Sequence, residues 1–592
     1  MRNDRDHSRY ERSLAPEDFY EEPSGSRASR RRGGRGAERD SFSILLAVLA
    51  AVMFLVAARL VWFQVFQHNK LTAEASNSRT TPVDLVARRG TIYDRNGNVL
   101  AMSEECRAIY CNPQEIKEPY VTADIIASHL GGTSSDYVDA LKSEGVYVLV
   151  KRKAGLDETK ALREELTSRN MPGIYYEPDS RRVYPYGAVG SQVLGVVDID
   201  GNGLTGLELY YDDILRGTDG KMSIETGIFG IPIAGATAKT IEAVDGTDIV
   251  ISLDINVQRV AEENIVEGVK EYKAESGSVM VTDPKTGEIL AACSTPLFDV
   301  TDLSVIEEGA TSIKVVTDSY EPGSIFKILT AAIGIENGVV NSTTHFYVPW
   351  QLEVGDDLVT DDDGRDYDMD MTLREILRRS SNTGAALIAQ EDIGADAFAE
   401  GVASFGIGQP TGIDYPGEVP GLVKARDEYD GSSVGSMSFG QGLAIPLVQM
   451  VRAVGAVANH GVPETPHFLV RKASEVVDWP AGERIISENT SREVVDMMRT
   501  VVEEGTAEPA QVPGYDVAGK TGTGERADTT KGGYIEDKFT SSLIGFAPAA
   551  DPSVLVYVGL NGTPYLASAS AAPLFSSIMG EALTDMGVLP AM

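Results

Sequence analysis

The pattern of apolar and polar positions begins with one long apolar segment near the N-terminus. Residues 42–66 are apolar except for Ser43, Arg59 and Gln64. A helix rises about 1.5 Å per residue, and the hydrocarbon core of a bilayer is about 30 Å thick. This segment is therefore long enough to span a membrane, and we predict a single uncleaved anchor over residues 42–66.

Residues 67–245 show mixed helix and strand patterns. Within residues 88–101, two strand-like runs flank Asn96-Gly97, a pair that favours a tight hairpin turn. No residues of this region form a recognisable catalytic group, so we interpret residues 67–245 as a scaffold.

Near Gly246 the pattern changes to that of a second region, residues 246–592. We predict strands at 248–253, 278–283, 288–293, 541–546 and 554–560, and helices at 257–269, 325–335, 372–390, 445–459 and 572–586. The strands lie toward both ends of the region with most helices between them, which favours one sheet packed between helices.

The chain has 592 residues and a formal net charge of −36 at pH 7. Basic residues are concentrated in residues 27–39, just before the apolar segment, where six arginines accompany the single acid Glu38: Arg27, Arg30, Arg31, Arg32, Arg35 and Arg39. The acidic remainder argues against nucleic-acid binding. The arginine cluster predicts that residues 1–41 are a disordered cytoplasmic tail and that the chain after residue 67 lies outside the cytoplasmic membrane.

Cysteine and aspartate are the residues that could indicate disulfides or metals. Cys106, Cys111 and Cys293 are too few for a disulfide framework and lack metal-ligand spacing, so we predict free structural thiols. Eight aspartates lie between positions 356 and 370. Their spacing matches no calcium-binding loop that we recognise, and we predict a solvated acidic loop.

The candidate chemistry begins at Ser324. Pro322 and Gly323 precede an apolar run, which predicts a turn that opens a helix with Ser324 in its first turn. Lys327, three residues later, lies on the same helical face. A lysine can activate a serine hydroxyl if burial or a second cation lowers its pKa. This spacing is common in helices, so the pair alone does not identify an enzyme.

Two further elements make the pattern specific. Ser380-Ser381-Asn382 follows a helical run, and Lys520-Thr521-Gly522-Thr523 follows a strand-like approach. Ser-x-x-Lys, a Ser-x-Asn element and Lys-Thr-Gly in this order are the signature of penicillin-binding proteins and serine β-lactamases.

The chain resembles the class B penicillin-binding proteins, monofunctional peptidoglycan D,D-transpeptidases. The resemblance extends from the anchor to the C-terminus and rests on the three elements above and on five other segments: 89–97, 182–185, 206–208, 438–442 and 545–548. The segment after Lys520, with Gly533-Tyr534 before Phe539, resembles the division and sporulation branch more than the elongation branch. No glycosyltransferase region precedes residue 67, unlike class A proteins. Gly524 stands where many relatives have Ala, a difference that we expect to matter little.

The resemblance implies an α+β fold with a single transmembrane helix. Residues 67–245 would form a mixed pedestal, or dimerisation, domain. Residues 246–592 would form a transpeptidase domain like that of serine β-lactamases, with an antiparallel sheet sandwiched by helices.

The resemblance also implies roles for the site residues. Ser324 would attack the stem-peptide D-Ala-D-Ala terminus, Lys327 would take its proton with its pKa lowered by burial and by Lys520, and Ser380 would relay a proton to the leaving amine. Asn382 would bind the substrate backbone, and Lys520, Thr521 and Thr523 would hold its carboxylate beside Gly522. The N–H groups of Ser324 and Thr523 would form the oxyanion hole. No cofactor or metal is implied.

The implied ligands are stem peptides and β-lactams, and the implied partners are a polytopic membrane glycan polymerase and other division proteins. Two alternatives stay open. One is a D,D-carboxypeptidase or β-lactamase on the same fold, and the other is a non-catalytic division scaffold or β-lactam sensor. Persistence or turnover of the acyl-enzyme would distinguish the first alternative from a transpeptidase.

Overall fold

The computed structural model describes residues 37–68, 70–71, 80–225, 239–527 and 534–590. Residues 1–36 of the predicted disordered tail lie outside these ranges, whereas residues 37–41, which we also predicted to be disordered, are helical. The chain forms two compact units, of which the first contains the apolar segment and the second comprises residues 82–223 and 238–592.

The α-helices are numbered in chain order. They are α1 (Ala37–Val61), α2 (Pro119–Leu130), α3 (Ser134–Leu141), α4 (Leu156–Ser168), α5 (Ser191–Leu194), α6 (Gly206–Tyr210), α7 (Asp212–Leu215), α8 (Ile255–Glu271), α9 (Lys314–Thr317), α10 (Lys327–Glu336), α11 (Leu373–Arg379), α12 (Asn382–Leu387), α13 (Ala395–Ser404), α14 (Ser433–Ser438), α15 (Leu447–Ala458), α16 (Glu488–Glu504) and α17 (Ala571–Asp585). Shorter 3-10 turns cover Gly323–Phe326, Arg426–Glu428, Glu508–Ala510 and Ala567–Ala569, and π-helical turns cover Trp62–Phe66 and Ile388–Ile393.

The strands are numbered in the same way. They are β1 (Thr80–Leu85), β2 (Ile92–Tyr93), β3 (Val99–Cys111), β4 (Val148–Ala154), β5 (Ile174–Val183), β6 (Gly220–Glu225), β7 (Lys239–Ile241), β8 (Ile249–Ile251), β9 (Ser276–Thr282), β10 (Ile289–Ser294), β11 (Ser319–Tyr320), β12 (His345–Val348), β13 (Gln351–Val354), β14 (Asp357–Thr360), β15 (Met369–Thr372), β16 (Ile445–Pro446), β17 (Leu469–Lys472), β18 (Glu475–Val476), β19 (Ala518–Ala527), β20 (Tyr534–Ala547) and β21 (Val554–Thr563).

The apolar segment is helical, as predicted. Helix α1 continues into the π-helical turn, and Phe42–Phe66 is long and apolar enough to cross a membrane, with a mean hydropathy of 2.8. Its apolar side chains are exposed to the surroundings, as a lipid-facing helix requires. By its length and composition, this helix is a candidate membrane anchor.

The scaffold region is organised around β3. This strand pairs antiparallel with β5 along its length and with β4 over its C-terminal half. Its inner side chains form a separate apolar core with helices α2, α3 and α4. The predicted hairpin is confirmed, because β2 and β3 pair antiparallel around Gly97, whose φ is +86°.

A buried ion cluster joins three distant segments of the scaffold. Glu208 is fully buried and accepts hydrogen bonds from Arg89 Nε at 2.5 Å and from Arg182 Nε at 2.6 Å. Arg89 also donates to Asp212 at 2.6 Å. Charged groups are rarely buried unless they are paired in this way. Through these contacts, three of the segments that carried the resemblance form one structural cluster.

Residues 246–592, which we call the catalytic region, contain a five-stranded sheet in the order β10-β9-β21-β20-β19, with antiparallel neighbours throughout. Strand β21 is buried at every position but one, which requires cover on both faces of the sheet. Helices α8 and α17 pack on each other and on this sheet, and α15 and α16 also pack on it. The predicted helix-sheet sandwich is confirmed.

The two regions share a second sheet. Strand β8, just after Gly246, pairs parallel with β2 of the scaffold and antiparallel with β17 of the catalytic region. The scaffold therefore supports the catalytic region through backbone hydrogen bonds as well as through side chains.

The prediction of one helix over residues 372–390 is wrong. Helix α11 ends at Arg379, and α12 begins at Asn382. Between them Ser380 has φ +63°, a left-handed conformation that ends a helix and that residues other than glycine adopt at a cost. The apolar periodicity continues across the break, which is why the sequence pattern did not reveal it.

Candidate active site

The candidate nucleophile lies in a tight turn. Ser324 is in the 3-10 turn Gly323–Phe326, and α10 begins at Lys327. Gly323 has φ +62°, and its N–H donates to the carbonyl of Gly440 at 3.1 Å. A Cβ on Gly440 would lie 2.2 Å from the Gly323 carbonyl oxygen. Glycine at position 440 is therefore required for the close approach of these two turns.

Lys327 connects two of the three predicted elements. Its Nζ lies 2.8 Å from Ser324 Oγ, 2.7 Å from the Ser380 carbonyl oxygen and 2.6 Å from Asn382 Oδ1. The Lys327 side chain is buried. These three oxygens account for the three hydrogen-bonding positions of the amine.

Ser380 connects the second element with the third. Its Oγ lies 2.8 Å from Lys520 Nζ and 3.3 Å from Lys327 Nζ. Lys520 is fully buried and also donates to the carbonyl of Thr521 at 2.9 Å. The hydroxyl of Ser380 thus lies between two buried amines.

Burial is the main cause of the electrostatic state of both amines. It lowers the pKa of Lys327 to about 8, and Asp362 and Asp361 partly oppose this effect. Burial, and next the neighbouring Lys327, hold the pKa of Lys520 well below its usual range. The repulsion between these two neighbouring amines is mutual, so they titrate as a coupled pair.

The amide of Asn382 has a defined orientation. Its Nδ2 donates to the carbonyl of Thr360 at 3.1 Å and to Asp362 Oδ1 at 3.3 Å. Because both partners accept, the amide oxygen must face Lys327. The end of β14 and the loop that follows it therefore bind the Asn382 amide, to which the resemblance assigned the substrate backbone.

The third element is on the edge strand β19. Thr521 Oγ1 lies 2.7 Å from Thr506 Oγ1, and Thr523 Oγ1 accepts from the N–H of Ala567 at 3.3 Å. A Cβ on Gly522 would lie 2.5 Å from Ser542 Oγ, 3.1 Å from a side-chain carbon of Ile325 and 3.3 Å from the Pro322 carbonyl oxygen. The nucleophile turn therefore packs directly against this strand.

The prediction of a solvated acidic loop is wrong for Asp361. Asp361 and Arg365 are both buried and form an ion pair at 2.9 Å. Asp361 also accepts from Ser381 Oγ at 2.8 Å, within the second element. Most of the other aspartates of the loop are exposed. In the described part of the chain, no group of three or more His, Cys, Asp and Glu side chains is arranged to hold a metal ion.

The structure brings Ser324, Lys327, Ser380, Asn382 and Lys520 into one connected group. Sequence reasoning missed three residues that contact the neighbours of this group: Thr506 contacts Thr521, Asp361 contacts Ser381 and Arg365 contacts Thr383. Thr506 lies in no recognised motif, and Asp361 is one of three consecutive aspartates, so neither had a local signal. The three predicted free thiols are confirmed, because Cys106, Cys111 and Cys293 are buried and unpaired.

Comparisons with known proteins agree with this architecture. Residues 277–580 match the family described as Penicillin binding protein transpeptidase domain. Residues 84–251 match the family described as Penicillin-binding Protein dimerisation domain. Together these matches cover the scaffold and the catalytic region.

Individual relatives are similar over nearly the whole chain. Stage V sporulation protein D of Bacillus subtilis (strain 168) is 31% identical over 569 residues, which cover 93% of this chain and 86% of that protein. The peptidoglycan D,D-transpeptidase FtsI of Escherichia coli (strain K12) is 27% identical over 568 residues, which cover 93% of this chain and 92% of that protein. The crystal structure of Penicillin binding protein 3 from Mycobacterium tuberculosis complexed with aztreonam is 28% identical with a TM-score of 0.68, and the match covers 86% of this chain and 98% of that one.

Proposed function

This chain belongs to the class B penicillin-binding proteins of the division and sporulation type and is a serine D,D-transpeptidase of cell-wall synthesis, and we propose that its acyl-enzyme forms on Ser324. The contacts of Lys327 are the observation that carries this proposal. A neutral amine has two N–H groups and one lone pair. The Ser380 carbonyl and Asn382 Oδ1 can only accept, so they take the two N–H groups and leave the lone pair for the Ser324 hydroxyl at 2.8 Å.

We propose that Lys327 is the general base for acylation. Its depressed pKa of about 8 gives it a useful neutral fraction near physiological pH. Ser324 Oγ attacks the carbonyl carbon of the penultimate D-Ala as its proton passes to Lys327. The tetrahedral oxyanion would be held by the N–H groups of Ser324 and Thr523.

Ser380 is the candidate relay for the leaving group. Its hydroxyl lies within reach of Lys327 at 3.3 Å and of Lys520 at 2.8 Å. A proton can pass from the Lys327 ammonium through this hydroxyl to the departing amine of D-Ala, which breaks the peptide bond and leaves an ester on Ser324. The amine of a neighbouring stem peptide then attacks that ester, forms the cross-link and returns the proton to the serine oxygen.

The edge strand is the candidate substrate platform. Thr521 and Thr523 would bind the terminal carboxylate beside Lys520, and Gly522 would leave space for the peptide backbone. Asn382 would bind the substrate backbone by exchanging its contact with the Thr360 carbonyl for one with the ligand. A β-lactam would acylate Ser324 through the same steps and remain bound because its leaving group stays attached.

The experiment that tests this function supplies glycan strands with pentapeptide stems, made from lipid-linked precursor by a separate polymerase. The purified native protein should release D-alanine and form cross-linked stem dimers, and Ser324→Ala should do neither. Tetrapeptide stems without dimers would establish a D,D-carboxypeptidase instead. Hydrolysis of free penicillin would establish a β-lactamase, and folded protein without any of these products would favour a non-catalytic scaffold.

We propose a domain division into a cytoplasmic tail (1–41), an anchor (42–66), a pedestal (67–245) and a transpeptidase domain (246–592). The arginines before the anchor favour a cytoplasmic N-terminus in the bacterial cytoplasmic membrane, with the catalytic domain outside. Protease added to intact spheroplasts should then digest the domains after residue 67 and spare an epitope in the first 36 residues. Digestion of that epitope would reverse this topology.

We propose that a polytopic glycan polymerase and other division proteins bind the anchor and pedestal. Arg59 supports this proposal, because a cation within an apolar membrane segment is costly and commonly faces a partner or the interface. Replacing the anchor with an unrelated transmembrane helix should reduce co-purification with the polymerase. Unchanged co-purification and cross-linking activity would refute the anchor as a contact.

A further inference from the structure

The buried part of the acidic loop contacts the second catalytic element from behind. We propose that Asp361 and Arg365 are positioning residues, which hold the turn Ser380-Ser381-Asn382 in the geometry that acylation requires. This inference rests on the proposed function, because it concerns the placement of groups around Ser324 and Lys327. Neither residue contacts Ser324 or Lys327 by hydrogen bonds in the structure.

Asp361 binds both residues that flank the start of α12. Its Oδ1 accepts from Ser381 Oγ at 3.0 Å and from the N–H of Thr383 at 3.0 Å. Its Oδ2 accepts from Ser381 Oγ at 2.8 Å and from Arg365 Nε at 2.9 Å. Ser381 Oγ in turn accepts from the N–H of Gly384 at 3.0 Å as the N-cap of this helix. One carboxylate therefore fixes the first turn of α12, where Asn382 is the first residue.

Arg365 donates hydrogen bonds from all three nitrogens of its guanidinium group. Nη1 donates to the carbonyls of Val348 at 3.1 Å and Tyr367 at 2.8 Å. Nη2 donates to the carbonyl of Pro349 at 2.7 Å and to Thr383 Oγ1 at 2.7 Å. With the Nε bond to Asp361, all five N–H groups have partners. Arg365 thus connects the ends of β12 and the loop before β15 to the same helix start.

These contacts hold the Ser380 turn in a backbone conformation that its residues do not favour by themselves. Ser380 has φ +63°, and a residue with a side chain keeps this conformation only when its surroundings determine it. The conformation places both oxygens of Ser380 near Lys327, at 2.7 Å for the carbonyl and 3.3 Å for the hydroxyl. Asn382 Oδ1 lies 2.6 Å from the same amine. Loosening the turn would therefore disturb two of the three partners of Lys327.

The charge of Asp361 adds an electrostatic consequence. Burial alone would raise the pKa of Asp361, but hydrogen bonds from Thr383, Ser381 and Arg365 outweigh burial and hold the pKa below its usual value. Asp361 is thus an anion at neutral pH. Two aspartates of this loop, Asp362 and Asp361, raise the pKa of Lys327. The neighbouring amine is that of Lys520 on β19.

The test is stopped-flow acylation of the purified full-length protein by a fluorescent penicillin, which gives the non-covalent Kd and the acylation rate constant k2 at each pH. Asp361→Asn should lower k2 about 10- to 100-fold with little change in Kd, as expected for small misplacements of reacting groups. Because Asp361 raises the pKa of Lys327, its removal should also move the rising limb of k2 to lower pH. Damage to folding alone would not move this limb.

Two further variants make the result decisive. Asp366→Asn removes the same charge from an exposed position of the same loop and should match the native protein in k2 and in its pH profile. Thr383→Val removes one hydroxyl of the network and leaves no charge unpaired, so it should fold and lower k2 several-fold. If Asp361→Asn does not fold, Thr383→Val therefore tests the positioning role in its place.

Native k2 in folded Asp361→Asn or in Thr383→Val would overturn the positioning role. A k2 loss in Asp366→Asn equal to that in Asp361→Asn would also overturn it, since the effect would then be one of general charge. Failure of the native protein to react with penicillin would instead contradict the proposed function, so the two failures are distinguishable.

Discussion

Lys520 Nζ lies 2.8 Å from Ser380 Oγ, although the two residues are 140 positions apart in the sequence. One is on the edge strand of the sheet and the other is at a break between two helices. Their contact places the third sequence element, which contains Lys520, against the second, which contains Ser380. Lys327 in turn connects the first element with the second. The hydroxyl of Ser380 is therefore the point at which all three elements meet.

Replacing Ser380 with Ala should separate proton relay from the positioning of Lys327. The backbone carbonyl that accepts from Lys327 remains, whereas the hydroxyl between the two amines is lost. General acid–base groups typically contribute about 10²- to 10⁴-fold. We expect k2 for penicillin to fall by about 10²-fold without a change in thermal midpoint, measured by stopped-flow fluorescence and scanning calorimetry. Native k2 would exclude the hydroxyl from the relay.

The pH dependence of acylation should report the buried lysines. Because the pKa of Lys327 is lowered to about 8, its neutral, reactive fraction increases about tenfold per pH unit below pH 8 and levels off above it. We expect k2 to follow this curve between pH 6 and pH 9. The midpoint belongs to the coupled pair of lysines rather than to one of them. A flat profile over this range would argue against lysine as the base.

Gly522 and Gly524 provide a matched pair on β19. A Cβ on Gly522 would meet Ser542, Ile325 and Pro322 at 2.5–3.3 Å, whereas a Cβ on Gly524 would meet nothing within 4 Å. Gly522→Ala should displace the nucleophile turn from the strand and lower k2 about tenfold or more. Gly524→Ala should keep k2 within twofold of the native value. Equal effects of the two substitutions would contradict the close packing at Gly522.

The buried ion cluster of the scaffold predicts a large stability effect far from the active site. Glu208→Gln leaves Arg89 and Arg182 without their shared anion, and breaking a buried pair in this way costs about 3–5 kcal/mol. Glu104→Gln, which removes an ion pair with Arg181 between two exposed side chains, should cost less than about 1 kcal/mol. Denaturant unfolding of the soluble part of the chain measures both. Comparable losses of unfolding free energy in the two variants would show that the buried cluster stabilises the protein no more than the exposed ion pair does.

The sequence was sufficient for the site where chemistry depends on residue type. Five site residues are identifiable because their amine, hydroxyl and amide side chains stand in short motifs in a fixed order: Ser324, Lys327, Ser380, Asn382 and Lys520. Strands β9, β10 and β21 and helices α8 and α17 were predictable because their apolar periodicity is long and regular.

The remaining features depend on long-range contacts that no local pattern records. The break at Ser380 has no Gly or Pro, and its left-handed conformation is held by Asp361 and Arg365 through Ser381 and Thr383. Asp361 and Asp363 look alike in the sequence, yet only Asp361 is buried. Asp361 is the aspartate of the run that pairs with the buried Arg365.

The most direct test of the Ser324 acyl-enzyme is intact-protein mass spectrometry and peptide mapping after brief exposure to a penicillin. We expect one stable adduct of the mass of the whole penicillin on the tryptic peptide that contains Ser324, with no adduct on Ser324→Ala that retains the native thermal midpoint. An adduct on another residue, or an undiminished adduct on Ser324→Ala, would contradict the assignment of the nucleophile.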